Sequence, residues 1–121
     1  RSTVSYWSEP NLAIEPDPDV GPVLVSLTYS VAPERADDFL AAMEHVRRSR
    51  QRTGAVRWGL YQDGEDPRRF VEAYLVPSWQ EHLRQHTDRL TGADQEIEAE
   101  ALALADGPPE VSHLFPAHRA G

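Results

Sequence analysis

The sequence predicts an α+β domain of ferredoxin-like, split βαβ order, β-α-β-β-α(α)-β, with a four-stranded antiparallel sheet. Three observations carry that prediction. Residues 22–31 (PVLVSLTYSV) and 68–76 alternate apolar and other side chains at period two. Residues 32–53 and 78–104 change to helical spacing. Between the second and third strands, Asp63-Gly64 and Asp66-Pro67 mark a short turn, which makes those strands a hairpin.

The first strand, Pro22 to Val31, places Val23, Val25, Leu27, Tyr29 and Val31 on one face and Leu24, Ser26, Thr28 and Ser30 on the other. A helix is predicted from Ala32 to Thr53. Pro33 sits at its first turn, Glu34, Asp37 and Asp38 lie near the positive end of its dipole, and Gly54 stops it. Ala36, Phe39, Leu40, Met43 and Val46 form the inward stripe. Arg47, Arg48, Arg50 and Arg52 load the last turns, where cations are favoured, and read as a solvated face.

The second strand, Ala55 to Asp63, sets Val56, Trp58 and Leu60 against Arg57, Gly59 and Tyr61. The third, Arg68 to Val76, sets Phe70, Glu72, Tyr74 and Val76 against Val71, Ala73 and Leu75, with Glu72 read as a cross-strand partner of Arg57. Pro77 ends it, and Ser78 to Glu81 fits a capping box. Trp79, Leu83, His86 and Leu90 then share a helical face. Thr91 to Asp94 reads as a second cap, opening a helix with Ala93, Ile97, Ala101 and Leu104 inward and Glu96, Glu98 and Glu100 outward. A last short strand runs from Val111 to Phe115, with Val111, His113 and Phe115 on one side.

The domain reading is therefore an acidic, Pro-rich linker over 1–21, pinned in places through Tyr6, Trp7, Leu12 and Ile14, a folded domain over 22–118, and a tail over 119–121. Helices cover one sheet face only. The apolar residues left on the other call for a second copy, so a homodimer that closes two sheets into an α/β barrel is expected.

Composition excludes several functions. Twenty acidic and twelve basic residues leave a net charge of −8, the wrong sign for a nucleic-acid binder. There is no Cys, hence no disulfide, thiolate metal site or cysteine nucleophile. No apolar run reaches the roughly 20 residues that span a bilayer. The chain begins at Arg1 with no signal-peptide pattern, and the expectation is a piece of a longer protein.

No strong catalytic motif is present. His82 and His86 stand at i, i+4, but the intervening Leu83, Arg84 and Gln85 lack the Glu of a zinc helix and add a repelling cation, so no metal site and no cofactor are expected. His86 beside aromatics reads either as a core histidine or as a general base or axial ligand. Trp58, Tyr74, Trp79, His82 and His86 are the candidates for lining a pocket between sheet and helices.

The stretch FVEAYLVPSWQEHLRQH resembles the dimeric α/β barrel group that includes antibiotic-biosynthesis monooxygenases. PVLVSLTYSV, TGAVRWGLYQD, DPRRFVEAYLVPSWQEHLRQH and TGADQEIE together resemble the C-terminal region of major facilitator superfamily exporters of the transmembrane secretion effector type. The upstream WSEPNLAIEPDPDVGPV is similar to the acidic link after the last membrane helix in that group. The resemblance implies a non-catalytic domain on the cytoplasmic face of the membrane. Dimerisation or regulation would be its role, beside the membrane portion of its own transporter, with a small hydrophobic or aromatic ligand as a further partner. The alternative it implies is a cofactor-free monooxygenase or haem-binding protein of the same fold, using His86 and Trp58. Such enzymes also use an Asn, and Asn11 is the one Asn here.

Overall fold

The structure, a computed structural model, describes residues 12–118. Tyr6, Trp7, Asn11 and the tail 119–121 lie outside the described residues. The elements are β1 (Val23–Ser30), α1 (Ala36–Thr53), β2 (Arg57–Gln62), β3 (Arg69–Val76), α2 (Trp79–Arg84), α3 (Gly92–Ala103) and β4 (Glu110–Leu114). The four strands order as β2-β3-β1-β4, every neighbouring pair antiparallel. This is the ferredoxin-like arrangement that the period changes predict.

Alternation decides which face is covered. Val23, Val25, Leu27 and Tyr29 of β1 and Phe70, Tyr74 and Val76 of β3 are buried, and Phe39, Met43 and Val46 of α1 close over them. The Phe39 ring meets Tyr29 at 5.2 Å and Phe70 at 5.5 Å between centroids, edge-on and tilted contacts that add to simple burial. On the opposite face Tyr61 and Leu114 stay exposed.

The helix starts differ from the expectation. Pro33–Arg35 forms a 3-10 turn, with Arg35 N–H donating to Ala32 O at 2.9 Å, and α-helical bonding begins only at Ala36. The tighter turn suits a segment whose Pro33 has no N–H to offer. At the other end Gly54 takes φ 139° and donates to Arg50 O, as a chain-reversing glycine cap does. Leu40, predicted inward, is exposed.

Residues 12–22 form no helix or strand, but part of the segment is docked. Val20 O accepts from Trp79 N–H and Pro18 O from Gln80 N–H, both at 2.8 Å. These are the first two amides of α2, which have no partner inside the helix. A Cβ on Gly21 would stand 1.9 Å from Pro77 O, so only glycine lets the strap pass so close.

Candidate functional site

The covered face of the sheet holds a buried ion network. Glu72 is the inward residue of β3, opposite Leu27 and Leu60, and is fully buried. Its carboxylate accepts from Tyr29 Oη (2.9 Å), Trp58 Nε1 (2.8 Å), Arg50 Nε (2.9 Å) and Arg50 Nη2 (3.4 Å). Arg50, from the last turns of α1, also donates Nη1 to Glu98 Oε2 of α3 at 2.5 Å. Its guanidinium lies 5.1 Å from the centre of the Tyr74 ring, a cation–π distance. Burial opposes the charge on Arg50, but Glu72 and Glu98 outweigh it and raise the pKa well above the usual value. Burial pushes the Tyr29 phenol up, and the Glu72 carboxylate pushes the same way.

Beside this network three imidazoles gather. His82 and His86 rings are 4.7 Å apart, His82 and His113 5.1 Å, and Trp79 covers both His82 (5.5 Å) and His113 (5.8 Å). One hydrogen-bond chain fixes a tautomer. Thr53 Oγ1 donates to Ser49 O (2.8 Å), so it accepts from Gln85 Nε2 (3.0 Å). Gln85 Oε1 therefore faces His82 Nδ1 at 3.2 Å, and Nδ1 carries the proton. Burial lowers the His82 pKa to about 4, with His113 adding to the shift and the Gln85 bond opposing it. Burial, His82, Arg50 and His113 together lower His86 to about 2. Both imidazoles are neutral at pH 7.

Arg50 and Glu98 of the network and the three imidazoles line one interior pocket, with Val25, Leu27, Ala101 and Val111 among its apolar walls. The space open to a water-sized sphere is ≈ 30 Å³. That is room for one or two waters. A haem macrocycle has no room beside His86, and no step through haem follows from this geometry. Among the described residues no group of three or more His, Asp or Glu side chains is placed to hold a metal ion.

The family model for the transmembrane secretion effectors matches residues 1–121, the full chain. The chain belongs to the transmembrane secretion effector family. No curated protein matches it. Among solved structures, this secretion-effector chain is similar to one from Bordetella bronchiseptica that carries the name antibiotic biosynthesis monooxygenase. They share 22% identity over 81% of this chain and 99% of that one, with a TM-score of 0.67. Rv0793 from Mycobacterium tuberculosis matches at 19% identity over 84% and 100% of the two chains, TM-score 0.66. A second protein carrying the monooxygenase name, from Caulobacter crescentus, matches at 16% over 83% and 93%, TM-score 0.69. At these identities the likeness is one of fold.

Of the residues singled out in the sequence, Tyr74, His82 and His86 line the interior pocket of the secretion-effector domain. Trp58 reaches it only through its indole bond to Glu72, and it also borders a shallow depression on the open face with Tyr61 and Leu75. Trp79 packs on the histidines and Phe115 from outside the lining. The helical face expected of Trp79, Leu83, His86 and Leu90 does not form. After α2, residues Gln85–Arg89 make a π-helical turn, closed by Leu90 N–H to Gln85 O at 3.0 Å. The buried face instead runs through Trp79, His82 and Gln85, with Gln85 bonded to Thr53 and Leu83 exposed.

Three charge assignments also change. Arg50 is buried in the network and not part of a solvated arginine face, because Glu72 lies beneath it. Glu72 pairs with Arg50 and not Arg57, whose strand register faces it to Leu75 on the other side of the sheet. Glu98 points inward, where Arg50 meets it. Finally, Ser78 caps α2 by accepting from Glu81 N–H (3.1 Å), but the Glu81 carboxylate does not complete the box. It binds Arg89 (2.6 Å) and Arg84 (3.2 Å) and so braces the π turn. The cap at Thr91 and Asp94 is reciprocal, as predicted.

Proposed function

We propose that this chain is the non-catalytic C-terminal domain of a major facilitator superfamily exporter, a dimerising and regulatory appendage on the cytoplasmic side of the membrane. The family match supports the association with a transporter. Among the described residues no helix is long and apolar enough to cross a membrane, so the transport path belongs to another part of such a protein. The observation that carries the non-catalytic reading is the pocket itself. Arg50 in its wall is held by Glu72 and Glu98, and ≈ 30 Å³ does not admit an aromatic substrate. The docked strap supports the regulatory part: it holds the first amides of the helix that carries Trp79 and His82.

Oxygen uptake with anthrone-type phenols and a haemin titration test this reading. The expected result is no turnover and no Soret band. Turnover, or a Soret band lost in His86→Ala, would sink it. Dimerisation is read by light scattering. Leu24, Leu75 and Tyr61 border the depression on the open face, and Leu114 is exposed. The expected mass is twice 13.6 kDa, and Tyr61→Glu with Leu114→Glu halves it. A single-chain mass for the unaltered protein at micromolar concentration refutes the dimer.

A further inference from the structure

The buried network does not balance. One guanidinium, Arg50, faces two carboxylates, Glu72 and Glu98, and all three are less than a tenth exposed. The shortfall falls on Glu98. Glu72 accepts four hydrogen bonds, which is close to the full capacity of a carboxylate, whereas among the described residues Glu98 receives one, from Arg50. Glu98 also lines the pocket. A surplus charge out of water costs several kcal/mol unless something of opposite sign meets it.

We propose that this pocket binds the head of a protonated amine, with Glu98 as its counter-ion. The assignment rests on the regulatory reading, since a regulatory pocket needs a ligand, and it names the class of that ligand. An ammonium group is about the size of a water and fits the ≈ 30 Å³ available. The Tyr29 and Tyr74 rings beside it add aromatic surface of the kind that attracts cations. The pocket is also polarised. At the Tyr29 end, beyond burial, Glu72 and Glu98 push the phenol up against an opposing Arg50. At the imidazole end burial, His82 and Arg50 disfavour positive charge on His86. The ammonium therefore sits against Glu98, and the apolar body of the ligand lies along the half-buried Leu102, Pro109 and Val111.

The test is calorimetry of the 121-residue chain with n-propylamine, n-propanol and propionate at pH 7, slender probes with no aromatic ring. The amine alone is expected to bind. Glu98→Gln, whose fold is checked by circular dichroism, is expected to weaken it about ten- to hundred-fold, the worth of one hydrogen bond to a charged group. Equal binding of the alcohol, no amine binding at millimolar concentration, or a Glu98 carboxyl found protonated at pH 7 by carbon-13 NMR each overturns the proposal. The first two measurements use the unaltered chain and do not depend on the variant folding. Amine binding that leaves export unchanged in the intact transporter would keep this assignment and sink the regulatory reading. No amine binding with a domain still required for export would do the reverse.

Discussion

Replacing Glu72 with Gln keeps the shape of the side chain and removes its charge. In the folded protein each carboxylate oxygen serves two donors: Oε1 takes Tyr29 Oη and Arg50 Nη2, and Oε2 takes Trp58 Nε1 and Arg50 Nε. With its NH₂ towards Trp58 Nε1 and Arg50 Nε the amide orphans both donors; turned the other way it donates to the Tyr29 hydroxyl and orphans Arg50 Nη2. A buried donor without a partner costs about 1–3 kcal/mol, and the lost charge on the partner of Arg50 adds to it. Arg50 keeps Glu98, which holds the figure below that of a fully stranded charge, and breaking a buried pair typically costs about 3–5 kcal/mol. The expected loss is about 3–5 kcal/mol, a large share of the roughly 5–15 kcal/mol of a small domain. Urea titration followed by tryptophan fluorescence measures it. Glu98→Gln removes the surplus negative charge instead and is expected to be neutral or stabilising. A loss below about 1 kcal/mol for Glu72→Gln, or a larger loss for Glu98→Gln, refutes the account of the network.

Two further outcomes are expected. His82 is depressed to about 4 from its ordinary 6.5, so between those values the unfolded chain binds the proton that the folded chain refuses. Its contribution is fully present above pH 6.5 and is lost as pH falls towards 4, on the order of 3 kcal/mol from His82 alone. Urea titrations at pH 7, 5.5 and 4.5 show this slope, and His82→Gln lessens it, leaving the share of His86 and His113, which are also depressed. Gly21→Ala drives a methyl into Pro77 O and is expected to lift the strap, raising hydrogen exchange at the Trp79 and Gln80 amides at least tenfold. Gly64→Ala, with open space around it, is expected to change nothing. Unchanged exchange in Gly21→Ala would show that the strap does not protect α2.

The fold was legible because it rests on alternation and on helix caps, which are local. The interior of the site was not, because its partners lie far apart in the chain. Arg50 sits in the last turns of α1, where the helix dipole alone explains an arginine. Glu98 stands in a row with Glu96 and Glu100 that reads as a solvated edge. The available signal was Glu72. A carboxylate between Phe70 and Tyr74 on the inward face of a strand calls for a buried cation or donor, and with no Lys in the chain an arginine is the first candidate. His82 was among the pocket candidates, but the Gln85 that bonds it stands at the start of a π turn, which no regular period anticipates.

The ion network also acts as a check on strand register. Its members come from α1, β3 and α3, so none is satisfied until all three elements are in place. Slipping β3 by one residue would turn Glu72 to the open face and set an apolar or small neighbour, Val71 or Ala73, beneath Arg50. Hydrophobic side chains alone would tolerate that slip, since both faces of β3 are largely apolar. A stranded guanidinium would not, and the network thereby rejects a misaligned sheet that burial alone would accept.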